Sequence, residues 1–331
     1  MKSILTLLVL SSGSFLLHAE ISGVVTNATT GAPQAAVSVT LIHPGENGMQ
    51  TLATVKSDAQ GKFTIDQPLP PPPALLRAEY QGVEYNQVVP PNAPTTGVRL
   101  SVNDVVGQIS SASLTEQHLV VLEPLEDGIR VNETFLLSNQ GKTTLLDPLK
   151  GSAQFFVPKS AQGSAKVTIE APNGMPITRA PEKTTTADIF KVGYPVKPGE
   201  TVFEIAYTLP PSKKFDGKLL SKDPLLLVTP EAVQLSGAGL KEQGIKDLGQ
   251  NGTRARVYQV SGVAGASYEV DIDGIGALQT EQPEAQRSSE DGSPKPKAGP
   301  ARLHERLPWV LGLTFSILAL GGTILYRRSP V

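Results

Sequence analysis

ISGVVTN, from Ile21 to Asn27, and AVSVTL, from Ala36 to Leu41, decide the fold class. Both alternate apolar with small or polar residues, and a period of two is what a strand with one buried face requires. Thr30-Gly31-Ala32-Pro33 reads as a turn between them, and Pro44-Gly45-Glu46-Asn47-Gly48 breaks the chain after them. Thr51 to Lys56 gives a third strand. Ser57-Asp58-Ala59-Gln60-Gly61-Lys62 then makes a turn from residues that tolerate unusual dihedrals. Phe63-Thr64-Ile65 follows, with Phe63 assigned to a core, and Leu75 to Tyr80 with Val83 to Val88 forms a hairpin about Gln81-Gly82. Residues 20–100 therefore read as a small β-sandwich.

The same pattern continues outward. In residues 101–211, His118 to Glu123 and Gly128 to Leu137 are strands, and Asn139-Gln140-Gly141-Lys142 turns the chain toward Thr143 to Leu145. Phe155 to Pro158 and Lys166 to Ile169 follow. Thr201-Val202-Phe203-Glu204-Ile205-Ala206-Tyr207 alternates so cleanly that one face must be buried. Strands recurring about every ten residues predict a second sandwich of immunoglobulin-like type. Residues 212–278 hold weaker strands at Leu225 to Thr229, Arg254 to Val260 and Tyr268 to Ile272, as a β-rich extension or a small third domain. The expected fold class is mainly β: tandem β-sandwich domains plus one C-terminal transmembrane helix.

In the first sandwich the residues carry a family pattern. Ile21-x-Gly23-x-Val25 is followed by Gly31-x-Pro33 and by Val37-x-Val39-x-Leu41. Thr54-x-x-x-Asp58-x-x-Gly61-x-Phe63 completes it. This order resembles the carboxypeptidase regulatory-like domain family. The resemblance implies a transthyretin-like sandwich, grouped by fold with starch-binding modules. It implies no peptidase activity, because such a domain accompanies catalytic domains without carrying their zinc ligands. The proline-rich Pro68 to Pro73 departs from the pattern and is expected to bulge from a sheet edge.

Both ends of the chain are apolar. LPWVLGLTFSILALGGTILY, Leu307 to Tyr326, carries no charge. As a helix rising roughly 1.5 Å per residue, it just crosses a hydrocarbon core about 30 Å thick. Trp309 and Tyr326 sit where amphipathic rings favour the membrane boundary, and Arg327 and Arg328 form a basic stop that holds residues 327–331 in the cytoplasm. These four residues are the expected membrane anchor, in contact with the lipid bilayer. At the other end, Met1-Lys2-Ser3, the run ILTLLVLSSGSFLL and Leu17-His18-Ala19 predict a cleaved signal peptide over residues 1–19. Residues 279–303 are rich in Glu, Gln, Ser, Pro, Lys and Gly and predict a disordered stalk. The expected topology is a single-pass membrane protein whose N-terminal body is extracytoplasmic, either periplasmic or at the cell surface.

Composition narrows the chemistry. The sequence has no Cys, so the body has neither a disulfide framework nor thiol chemistry, which suits a bacterial envelope. A formal net charge of -2 with no basic patch gives no electrostatic case for nucleic acid. Only His43 and His118 are imidazoles of the body. Two distant histidines without cysteine do not make the three or four ligands a zinc site needs, and no Gly-x-Ser-x-Gly elbow is present. Asp271-Ile272-Asp273-Gly274 and Glu123 to Asp127 are acidic, but Asp-x-Asp-Gly alone does not supply a calcium loop and reads as a β-turn. Gly237-Ala238-Gly239-Leu240 and Gly262-Val263-Ala264-Gly265 lack the βαβ context of a dinucleotide loop and read as turns. No catalytic, cofactor-binding or metal-ligating residue is assigned.

Tyr80 and Tyr85 flank a hairpin loop, and aromatic faces stack on sugars. They are the candidate ligand surface. The leading expectation is a non-catalytic, membrane-anchored envelope protein that presents β-sandwiches to a protein partner or scaffold. A carbohydrate- or peptide-binding module is the second reading, and a hydrolase has least support.

Overall fold

The computed structural model describes residues 20–278, apart from 46–47, 110–112, 173, 222 and 249–252. Trp309, Tyr326, Arg327 and Arg328, the signal segment and the stalk lie outside the described residues. The described chain is mainly β, with a single 3-10 turn at Lys159–Ala161, and it divides into two compact units at Val105/Val106.

Unit 1 holds β1 (Ile21–Asn27), β2 (Ser38–Gly45), β3 (Gly48–Lys56), β4 (Lys62–Ile65), β5 (Ala74–Tyr80), β6 (Val83–Val89) and β7 (Val98–Val102). One sheet has the order β4-β1-β7, with β7 parallel to β1, and the other the order β3-β2-β5-β6. Their inward residues, among them Val25, Val39, Leu41, Phe63, Leu76 and Leu100, are buried, as two facing amphipathic sheets require. β2 begins at Ser38 rather than Ala36 because Ala36 takes a φ of 60°, off the extended path. β7 extends the unit past residue 100, since its pairing with β1 runs to Val102 and the Val102 carbonyl accepts from Ala28 N–H.

β8 (Val105–Val106) spans the division, and unit 2 continues with β9 (Leu114–Leu125), β10 (Gly128–Asn139) and β11 (Thr144–Leu145). It continues with β12 (Ala153–Phe156), β13 (Lys166–Glu170), β14 (Ile177–Arg179), β15 (Glu182–Lys183), β16 (Ile189–Val192) and β17 (Gly199–Leu209). Last come β18 (Lys214–Lys218), β19 (Leu225–Pro230), β20 (Gln234–Ser236), β21 (Leu240–Asp247), β22 (Arg254–Val260) and β23 (Ser267–Asp273). An eight-stranded sheet of order β14-β13-β17-β10-β9-β19-β22-β21 forms one layer. Two three-stranded sheets, β12-β16-β15 and β18-β23-β20, contribute to the same core. Phe155 and Phe190 from the first, and Phe215 and Val270 from the second, pack with Phe135 and Phe203 of the large sheet. An immunoglobulin sandwich divides about seven strands between two sheets. Here β19 pairs in parallel with β9 and adds β22 and β21 to the same sheet, while β18, β20 and β23 form a second sheet on the same core.

β9 and β10 are each twelve residues long, about 35 Å along β9 at roughly 3.3 Å per residue. The chain enters unit 2 at the Leu114 end of β9. There Val106 accepts from Leu146 N–H, and Asn139 donates to the carbonyls of Thr143 and Val196. It leaves at the Leu125 end. Gly276 N–H donates to Pro124 O at 2.8 Å, and Leu278 N–H donates to Glu123 at 2.8 Å. Entry and exit are thus at opposite ends of the long strands.

Candidate functional site

The two tyrosines of the candidate ligand surface sit on neighbouring strands of unit 1 but do not form an exposed pair. Tyr85 points inward from β6 and is only 9% exposed. The alternation of β6 sends its odd positions Val83 and Tyr85 to the core, which corrects the expectation of an accessible ring. Tyr85 Oη donates to Asn103 O at 3.0 Å. Tyr80 is half-buried and donates to Asp104 Oδ1 at 3.2 Å. Burial and the neighbouring Asp104 carboxylate push its pKa above the usual tyrosine value. Asn27 donates to the same Asp104 oxygen at 2.7 Å and to Gln34 Oε1 at 3.0 Å, while Thr29 Oγ1 accepts from Asp104 N–H. Both hydroxyls therefore tie down the last turn of the unit. Phe63 is buried against Gly23, its partner across β1 and β4, where an added Cβ would come within 2.7 Å of the ring.

Unit 2 contains a polar cluster that the sequence reading missed. Glu133 lies in the middle of β10 on the core face, in phase with buried Ile129, Val131, Phe135 and Leu137, and is 7% exposed or less, as are those neighbours. A buried carboxylate needs partners, because its desolvation is otherwise costly. Tyr207 on β17 donates to Oε1 at 2.6 Å, and His118 Nε2 on β9 lies 3.1 Å from Oε2. The His118 ring stacks on Phe135 with centroids 3.9 Å apart. Register explains the grouping: Val131 pairs with Tyr207 and Phe135 with His118, so both partners are diagonal neighbours of Glu133.

The electrostatics follow from this burial. The Tyr207 hydroxyl is held well above its ordinary pKa, first by burial and then by the Glu133 charge, and Tyr268 of β23 is raised by the same two causes. Glu116, two residues before His118 on the same face, is also raised by burial; His118 opposes that shift and Asp223 adds to it. Phenols that stay protonated far above neutrality are poorly matched to proton transfer at pH 7. The cluster joins three adjacent strands and offers no activated nucleophile. The signal that could have found it was a single acid in the inward phase of the alternation from Ile129 to Leu137.

Elsewhere the acidic and glycine motifs take structural places. Asp271 and Asp273 lie on strand β23 rather than in a turn, and both point away from buried Val270 and Ile272. Gly274 follows with a φ of 98°. Among the described residues no group of three or more ligating side chains could hold a metal ion. A cleft of about 330 Å³ lies beside β23, lined by Leu219, Val260 and Tyr268 and by the small residues Gly237, Ala238 and Gly262. Glu269 at its rim is ion-paired with Lys214.

Residues 20–109 match the model of the carboxypeptidase regulatory-like domain. The segment reaches past residue 100 to include β7 and Asp104, the end of the polar knot around Tyr80. No curated protein matches the chain. Among solved structures, a putative protease from Parabacteroides distasonis is similar at 12% identity and a TM-score of 0.27, covering 54% of this chain and 39% of that one. The chain thus spans well under half of that structure. The major pilin subunit BcpA of Bacillus cereus is similar at 11% identity and a TM-score of 0.19, covering 82% of this chain and 92% of the pilin. At such scores neither likeness bears on function. Among the described residues no helix is long and apolar enough to cross a membrane; the apolar run from Leu307 to Tyr326 lies outside them.

Proposed function

We propose that the chain is a non-catalytic interaction module of a cell envelope, tethered to the membrane by Leu307 to Tyr326. In this reading the regulatory-like domain is the interacting part, and unit 2 links it to the tether. One observation carries it: the chain enters unit 2 at the Leu114 end of β9 and leaves at the Leu125 end. The chain before Val106 and the chain after residue 278 therefore join unit 2 at opposite ends of β9. The sandwich core supports the same role, since a continuous eight-stranded sheet transmits position rigidly.

The tether is tested by ending the chain before Leu307. Full-length protein is expected to pellet with membranes after high-salt and alkaline washing, and the shortened chain to appear folded in the soluble extracytoplasmic fraction. Equal membrane retention of the two would refute the tether.

A further inference from the structure

Two strands carry the chain into and out of unit 2. The chain before Val106 leads to the Leu114 end of β9, and the chain after residue 278 follows from the Asp273 end of β23. Both strands are interior to their sheets. β9 lies between β10 and β19, and its ladder with β10 runs the full length of both strands. β23 lies between β18 and β20.

β9 and β23 also run the same way. Gly276, three residues past β23, donates to Pro124 O near the end of β9. The start of β23 is level with the first half of β9: Tyr268 lines a cleft with Val260, Val260 pairs with Leu225, and Leu225 pairs with His118. Tension between the two connections therefore draws β9 toward its Leu114 end and β23 toward its Asp273 end. The two strands are pulled in opposite directions along their lengths.

That geometry decides how the hydrogen bonds share the load. Bonds in an antiparallel ladder lie perpendicular to the strands. A lengthwise pull falls across all of them at once, whereas a pull on the open end of a hairpin breaks them in turn. Because β9 and β23 each have a ladder on both sides, neither slides out unless two ladders fail together. The core opposes the slide as well. Val120 and Leu122 of β9 share it with Val270 and Ile272 of β23, and close-packed side chains interlock.

We infer that unit 2 is a tension-bearing link, loaded in shear through its own two connections. It resists force between Val106 and residue 278 better than force applied across its strands. The property belongs to unit 2 and holds whatever the chain after residue 278 is fixed to, so it does not rest on the tether.

The absence of native cysteine permits a direct test. Cysteine pairs in the full chain, kept in detergent, carry DNA handles for optical tweezers. Gln108→Cys/Ala277→Cys applies force through the two connections. Thr115→Cys/Gln140→Cys pulls apart the open end of the β9–β10 hairpin, where Gln140 N–H donates to Ser113 O. All four positions are exposed, and an unchanged urea midpoint for each pair shows that the fold is kept. At equal loading rate the first pair is expected to rupture at a force at least about twofold above the second. A smaller ratio, or the reverse order, would overturn the inference. Membrane retention does not enter this measurement, so its failure and failure of the tether are told apart.

Discussion

Glu133 shows how one residue can sit correctly in a strand and still stand outside the pattern that predicts the strand. The alternation from Ile129 to Leu137 gives β10 from sequence, and the acid at its centre reads there as one irregular position. Only the register that brings Tyr207 and His118 beside it explains how the carboxylate is tolerated. Tyr207→Phe removes one of its donors and is expected to destabilise unit 2 by about 1–3 kcal/mol, read as a lower denaturant midpoint with an unchanged slope. Glu116 gives a second test at this scale. Its folded pKa is raised, so the favourable contribution of its protonated form is complete below the unfolded carboxylate value and is lost as pH rises. Glu116→Gln should therefore stabilise the protein at pH 7, with the gain vanishing below about pH 4. The same sign applies to Tyr207 and Tyr268: their stabilisation is whole below pH ~10 and lost above it. Absorbance titration should show these two phenols ionising last, together with alkaline unfolding.

At the scale of elements most of the fold was legible. Ile21 to Asn27 and Arg254 to Val260 form strands with the bounds expected from alternation, and Phe63 is buried. Where bounds moved, local geometry overrode periodicity. Ala36 leaves the extended region before β2, and β7 was passed over because a parallel partner far back in the chain fixes it. Tyr85 is buried because the inward phase of β6 overrides its place beside the hairpin loop. The long sheet of unit 2 was not legible, since β9 and β19 pair across about a hundred residues with no local signal. The contact between β1 and its neighbours makes a stability prediction. A Cβ on Gly23 would lie 2.1 Å from Val98 O, so Gly23→Ala should cost about 1–3 kcal/mol by overpacking. Phe63→Ala, which empties the space beside it, should cost about 3–5 kcal/mol. Both are measured as shifts in the urea midpoint of unit 1.

For the whole molecule, the proposed function divides between successive parts of the chain: a regulatory-like domain, a β-rich linking unit and an apolar tether. The opposed entry and exit of unit 2 are legible only in the structure, while the proposed tether rests on the sequence alone. Together they make up the proposed topology. Leu149 offers a reporter on one side, since it is 84% exposed in a loop whose Asp147 accepts from the N–H groups of Leu149 and Lys150. Ser329, beyond the basic pair, offers one on the other. With no native cysteine as background, Leu149→Cys and Ser329→Cys can be exposed to a membrane-impermeant maleimide on spheroplasts and again after lysis. Leu149→Cys is expected to be labelled before lysis and Ser329→Cys only after it. Labelling of Ser329→Cys on intact spheroplasts, or protection of Leu149→Cys there, would contradict it.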